Sequence, residues 1–275
     1  VLPYYTCMEN NADLKTLNRK YHSVGGPLNI EKFPWQPPIT EDILSAAAER
    51  GYGVSNDLNG DQLTGFTVAQ MASRNGVRMS SARAFLQPIR NRPNLDVALN
   101  ATARRILFDG DKAIGVEYSQ DGEIRTARAA REIVVSGGAV NSPQLLLLSG
   151  VGPAEELRAV NISVVKDLPG VGKNLQNHVS YTLSYSINEP NEFDLNWAAV
   201  LEYVAYQSGP MASTGLSQVT GKMASSYATR DHPDLQFYFG GYQAACATTG
   251  AVGELMDNSR RSISISPTNL HPKSK

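Results

Sequence analysis

Apolar positions fall into a helical rhythm at residues 40–51, where Ile43, Leu44 and Ala47 line one side of a segment that Thr40 opens and Gly51 stops. Glu41 and Asp42 in its first turn and Arg50 in its last suit the helix dipole, so the pattern predicts an amphipathic surface helix. Residues 1–38 show no period. Gly25-Gly26-Pro27 and Pro37-Pro38 punctuate a stretch rich in Asn and aromatics, which reads as extended or loop structure. Residues 67–71, an Asn75-Gly76 turn and residues 77–79 predict strand, turn, strand, and Ser80 or Ser81 caps a short helix that Pro88 ends for want of an amide proton. From Leu95 the period shortens to two. Residues 95–99, 103–108, 113–118, 123–127 and 132–136 read as β segments, with Asp109-Gly110 and Asp121-Gly122 as turns that tolerate positive φ. The expected layout is an antiparallel meander feeding an apolar strand, Ile133-Val134-Val135. Beyond Asn174 the chain reads as a second unit: strand 179–187, helix 195–207, then strands 235–239 and 262–266. Asp194 is the expected cap of that helix, Trp197, Val200, Leu201 and Val204 share one of its faces, and Gly209-Pro210 stops it.

A chain of 275 residues with 41% hydrophobic content can bury a core and divide into two compact units. Its formal net charge is -1, from 25 basic and 26 acidic residues, and no basic stripe is interleaved with aromatics. The electrostatic footprint of nucleic-acid binding is therefore absent. No stretch approaches the roughly eighteen consecutive apolar residues of a membrane helix, and the leucine run at 145–148 is stopped by Ser149-Gly150. No membrane span is expected, and the chain reads as soluble. Cys7 and Cys246 fit no metal-ligand spacing and leave pairing and redox compartment open. Asn100-Ala101-Thr102 and Asn161-Ile162-Ser163 satisfy the glycosylation triplet, which is compatible with a secreted protein without deciding localisation. The chain opens on Val1 rather than Met and ends just past an alternating strand pattern, so the expectation is an internal piece of a longer polypeptide.

The stretch 132–152 carries the most chemistry: strand, glycine pair, polar cap, proline, leucine-rich helix, glycine stop. Gly137-Gly138-Ala139 allows a sharp turn, and Asn141 or Ser142 can cap a helix whose first position suits Pro143. Unpaired amides at such a helix start favour an anion or a polar ribosyl group, so a nucleotide can lie against this turn. On spacing alone, an ordinary strand-to-helix joint packed with small residues is the commoner explanation. No Gly-x-Gly-x-x-Gly fingerprint occurs. His22, His232 and His271 have no carboxylate or Cys at ligand spacing and are expected to be surface or packing residues, with no metal site. Ser142 lacks a Gly-x-Ser-x-Gly elbow, so capping is its expected role. Leu235, Phe237 and Phe239 alternate with Gln236 and Tyr238, giving one apolar face and one that can line a polar pocket.

The run Gly138-Ala139-Val140-Asn141-Ser142-Pro143-Gln144, continued by four leucines and Ser149-Gly150-Val151-Gly152, resembles the second signature of the glucose-methanol-choline (GMC) oxidoreductases. The resemblance extends over essentially the whole chain. It takes in Pro3-Tyr4-Tyr5, Gly76-Val77-Arg78 with Ser80, Ser81 and Ala84-Phe85-Leu86, and the run from Leu168-Pro169-Gly170 to Gln176-Asn177-His178. Arg260-Arg261-Ser262-Ile263 and Leu270-His271-Pro272-Lys273-Ser274 look most like the insect glucose-dehydrogenase type of member.

The resemblance implies an α/β fold of mixed α+β character, with parts of two domains. Residues 1–65 would be substrate-domain and connecting segments, 66–175 a partial doubly wound FAD-binding domain with its β-meander, and 176–275 a partial substrate domain of sheet and helix. In similar proteins FAD accepts hydride from an alcohol carbon while a His near the C-terminus takes the hydroxyl proton and a His or Asn assists. Neither position falls in this chain, so no catalytic residue is expected here. The implied cofactor-binding positions are Gly138, Ala139, Asn141, Ser142 and Pro143, with Ala103 replacing a family Val whose backbone meets the adenine. Asn177 and His178 would lie in a loop near the cofactor, although Gln176-Asn177-His178 departs from the family's Gln-Asp-His and lacks its charge. The implied function is the middle portion of an FAD-dependent oxidoreductase acting on CH-OH donors. Its partners would be an alcohol or sugar substrate and an electron acceptor such as quinone or oxygen. The alternative is a catalytically inactive, stand-alone nucleotide-binding or interaction module.

Overall fold

In the computed structural model, which describes residues 1–190, 196–242 and 260–272, contacts divide the chain into two units. Residues 1–92 and 178–272 form the first, and 93–177 the second. Along the chain the elements are α1 (Leu2–Met8), β1 (Glu9–Asn11), β2 (Leu28–Ile30), α2 (Ile39–Glu49), β3 (Gly65–Val68), β4 (Ser73–Arg74) and β5 (Val77–Arg78). There follow β6 (Thr102–Asp109), β7 (Lys112–Gln120), β8 (Glu123–Arg128), α3 (Gly138–Leu148), β9 (Val151–Gly152), α4 (Ala154–Ala159) and β10 (Lys166–Asp167). Then come β11 (Val179–Ser180), β12 (Leu183–Pro190), α5 (Trp197–Tyr206), β13 (Val219–Met223), β14 (Leu235–Gly241) and β15 (Arg260–Asn269).

The first unit is built on an antiparallel sheet in the order β11-β15-β14-β13-β3, with β12 also paired to β15. Period-two alternation gives it two chemically different faces. One face presents Phe66, Val219 and Phe239, with Phe237, Ile263 and Ile265 partly buried beside them, and packs against Ile39, Ile43, Leu44 and Ala47 of α2. Phe66 is the hub, its ring 5.8 Å from Phe237 and 6.3 Å from Phe239.

Several expectations are corrected in this unit. Residues 2–8 are helical rather than loop, because a seven-residue helix is too short to display its period. Thr40 does not cap α2: Pro38 occupies that position and Thr40 lies buried within the first turn. The cap of α5 is Asn196, whose Oδ1 accepts from the Ala199 amide at 3.0 Å, and Asp194 lies outside the described residues. The shared apolar face of α5 points largely to solvent, with Trp197 65% and Val204 74% exposed.

The second unit holds the meander β6-β7-β8, antiparallel as expected, with positive φ at Gly110, Asp121 and Gly122. Two expected strands are absent: residues 95–99 and 132–136 form no strand among the described residues, leaving Leu99 72% and Val134 75% exposed. An apolar run records that a face wants covering; it does not supply the neighbour that completes the ladder. The meander is joined to α3 through Ser149, whose Oγ accepts from the Ile106 amide at 2.8 Å and donates to the Leu145 carbonyl at 2.5 Å.

Candidate functional site

The glycine bend opens directly into α3. Gly137 takes the cap position with no side-chain hydrogen bond, and Gly138, at φ +87°, is already the first helical residue. This corrects the expected start: neither Asn141 nor Ser142 is the cap, and Pro143 lies inside the helix. The bend can begin earlier because a glycine at positive φ turns the backbone without a side-chain clash. Proline, lacking an amide proton, then leaves the Ala139 carbonyl without its usual donor. The amides of residues 138–140 have no acceptor within the helix, and none outside it among the described residues.

The two glycines of the bend differ in the room they leave for a Cβ. At Gly137 it would press on Asn141 Cβ and the Ser142 nitrogen, both at 3.3 Å, so that glycine serves the helix's own packing. At Gly138 it would meet nothing within 4 Å. Gly138, Ala139 and Asn141 are exposed, and Ser142 and Pro143 half-buried. Alongside runs an open cavity of about 880 Å³ lined by Ala139, Pro143, Gln144, Leu147 and the segment 172–176. The residues present therefore fit a group that brings anionic or ribosyl oxygens to free amides and lays an apolar ring along the helix.

Five of the expected cofactor residues are thus gathered in one turn. Ala103 is not among them. It is exposed on β6, opposite Tyr118 and beside a register irregularity, and β6 meets α3 through Ser149 at the helix's other end. Asn177 and His178 are both exposed and occupy the point where the chain passes from the second unit to the first.

A second candidate surface lies in the first unit. The sheet face opposite α2 carries Ser184 and Ser186 on β12, Ser262, Ser264, Ser266 and Thr268 on β15, and Gln236 and Tyr238 on β14. Two of its rungs are side-chain pairs at 2.9 Å, Ser180 with Thr268 and Thr182 with Ser266. The hydroxyls of Ser184, Ser186, Ser262 and Ser264 have no protein partner among the described residues. This face can exchange hydrogen bonds with a polar ligand.

His22 is the residue that sequence reasoning misjudged. It is neither a surface nor a simple packing residue: it is 8% exposed and held at 3.0 Å by a carboxylate on each ring nitrogen, Glu9 on Nδ1 and Asp57 on Nε2. Its partners stand 13 and 35 residues away, so no local spacing could reveal them. His232 and His271 are exposed as expected. No group of three or more metal-ligating side chains occurs among the described residues, and none of their helices is long and apolar enough to cross a membrane.

Comparison with known proteins places these features. The model of the GMC oxidoreductase N-terminal region matches residues 3–180. The glucose dehydrogenase [FAD, quinone] of Drosophila pseudoobscura pseudoobscura is 51% identical over 279 residues, covering 100% of this chain and 44% of that protein. The mitochondrial choline dehydrogenase of Mus musculus is 39% identical over 225 residues, covering 80% of this chain and 37% of that protein. The chain therefore spans less than half the length of these curated relatives. Among solved structures, a formate oxidase of Aspergillus oryzae superimposes with a TM-score of 0.81 at 19% identity, over 100% of this chain and 53% of that one. A pyridoxine 4-oxidase from Mesorbium loti gives 0.77 at 23% identity, over 99% and 49%. The match across residues 3–180 and the fold agree with the signature at the glycine bend: the chain belongs to the GMC oxidoreductase family.

Proposed function

We propose that this chain is the middle portion of an FAD-dependent oxidoreductase acting on the CH-OH group of an alcohol or sugar, and that its bend at residues 137–143 holds the adenosine side of the cofactor. The observation that carries this reading is the combination at Gly138: free amides, positive φ and empty space where a side chain would stand. Bound FAD supplies the hydride acceptor for oxidation of the substrate carbon. In this chain, the amides of residues 138–140 orient oxygens of the cofactor's ribosyl-phosphate part, Ser142 and Asn141 add side-chain hydrogen bonds, and Pro143 holds the helix start apart from its own ladder. Ala103 contributes through its main chain, which any side chain permits, and Asn177 with His178 forms the connecting loop near the cofactor. No residue of this chain is assigned a part in moving the substrate proton.

Residues 1–65 and 176–275 contribute the substrate side and the later part of 66–175 the cofactor side, residues 66–92 packing with the first unit. The hydroxyl-bearing sheet face is the one suited to a polar substrate, since the other is occupied by α2. The names of the relatives point to quinone or oxygen as electron acceptor.

The test is spectroscopic. The 275-residue chain is expected to purify colourless and to be poorly stable, because apolar positions such as Leu99 and Val134 stand uncovered. A completed polypeptide, with upstream and downstream segments restored, should carry flavin absorbance that bleaches when an alcohol or sugar donor is added without an acceptor. A completed polypeptide that folds but takes up no flavin would overturn the reading in favour of an inactive interaction module.

A further inference from the structure

The network around His22 is built from four separate stretches of chain. Glu9 belongs to β1, His22 to the segment between β1 and β2, Asp57 to the loop before β3, and Lys222 to β13. Neither carboxylate is idle. Glu9 Oε1 also accepts from Asn11 Nδ2 at 2.8 Å and its Oε2 from the Ser23 amide at 2.9 Å. Asp57 Oδ1 accepts from the Asn59 amide at 2.7 Å. Asn11 in turn pairs with Gln70, whose Nε2 donates to Asp13 at 2.7 Å. Lys222 Nζ sits 3.4 Å from both the Leu58 carbonyl and Asn59 Oδ1, where burial pushes its ammonium below the usual range against the attraction of Asp57. A cavity of about 490 Å³ adjoins the ring, with Tyr5 and Tyr21 as its other ionisable lining groups.

Ionised carboxylates only accept hydrogen bonds, and a neutral imidazole has one N–H to give. Both 3.0 Å contacts can be hydrogen bonds at once only if the ring carries both protons. We propose that the His22 imidazolium is a pH-responsive latch: protonated, it ties the N-terminal segment 9–26 to the loop 55–60, and deprotonation releases one of the two carboxylates. Release reaches the core by a short route. Ser55, two residues from Asp57, donates its amide to the Phe66 carbonyl at 2.9 Å, and the Phe66 amide donates to the Gly53 carbonyl at 3.0 Å.

The direction of the pH effect follows from the surroundings. Burial opposes the charge, but the hydrogen bonds to Glu9 and Asp57 outweigh it and hold His22 above the ordinary histidine value of 6.5. A group raised on folding stabilises in full below its unfolded value, and that stabilisation is lost as pH climbs through the folded value. The latch is therefore closed in mildly acid conditions and opens on the alkaline side of 6.5. The hydrogen bond released joins two charged groups, a class strong enough that its loss corresponds to about a tenfold rise in local opening.

Two measurements on the 275-residue chain test this. Ring resonances of His22, read by NMR beside those of the exposed His178, His232 and His271, should show both ring nitrogens protonated at pH 6.5. Hydrogen exchange of peptides spanning residues 20–27 and 53–60, corrected for intrinsic pH dependence, should accelerate about tenfold or more between pH 6 and pH 9. His22→Gln should flatten that profile. Asp57→Asn should shift the His22 titration downward, because the introduced amide can donate to Nε2 and a single ring proton then suffices. A ring with one proton at pH 6.5, or an exchange profile unchanged in His22→Gln, would overturn the proposal. If that variant does not fold, the wild-type ring titration and the Asp57→Asn shift decide the question.

Discussion

Replacing Gly150 with valine is expected to unfold the second unit. Gly150 is buried at φ +84°, and a Cβ there would lie 2.3 Å from the Ser163 carbonyl oxygen, 3.0 Å from Val165 Cγ2 and 3.2 Å from the Val165 amide nitrogen. The obstruction is mainly backbone, and it is backbone that Gly150 itself holds: its carbonyl accepts from the Val165 amide at 2.8 Å and the Lys166 amide at 3.1 Å. Moving that strand away would break both bonds and the parallel pairing of Val151 with Lys166. A β-branched residue in the left-handed region adds about 1–2 kcal/mol of strain, and overpacking against fixed neighbours typically about 1–3 kcal/mol more. The sum, about 2–5 kcal/mol, reaches at its upper end the lower bound of whole-domain stability, about 5 kcal/mol. Gly170→Ala is the control, since a Cβ there meets nothing within 4 Å and no positive φ is required. Limited proteolysis with peptide mapping across residues 93–177 should show Gly150→Val cut throughout and Gly170→Ala unchanged. Equal protection of the two would contradict the packing described for this joint.

The second large effect concerns Gly138 and separates folding from cofactor retention. At this position a side chain meets open space, so Gly138→Val costs only the strain of positive φ, about 1–2 kcal/mol. In the completed polypeptide, the same side chain would stand in the approach to the free amides. Losing one or two hydrogen bonds to charged oxygens, about 1.5–3 kcal/mol each, should weaken FAD binding by roughly 10-fold or more. Reconstitution of the apoprotein, followed by flavin fluorescence, measures this directly. Gly138→Ala should fall between the two. Full flavin occupancy in a folded Gly138→Val variant would remove the bend from the cofactor site.

Local chemistry was legible in the sequence wherever an element is closed by its own residues. The meander turns at Asp109-Gly110 and Asp121-Gly122 and the stop of α2 at Gly51 depend on neighbours a few positions away, and the structure has them where the residues imply. Reading fails where the partner is distant. Ile133-Val134-Val135 has the composition of a buried strand, yet no described segment pairs with it, because ladder partners cannot be read from one strand. His22 looked ordinary because its two carboxylates arrive from β1 and from the 55–60 loop. The site shows both limits in one place. The glycine bend was visible as a run of small residues, but its start was misplaced by five residues, since Pro143 suits a first turn and Gly138 begins one earlier. That Gly137 and Gly138 serve different ends, one packing and one open, became visible only in three dimensions.

On the proposed reading, the bend at residues 137–143 receives the adenosine side of FAD. Photolabelling the completed polypeptide with an adenine-azido FAD analogue, then mapping the modified peptide, tests it most directly. The label is expected on residues 137–148 or on the β6 segment that carries Ala103, and excess unmodified FAD should suppress it. Specific, FAD-suppressible labelling confined to other parts of the polypeptide would contradict the assignment.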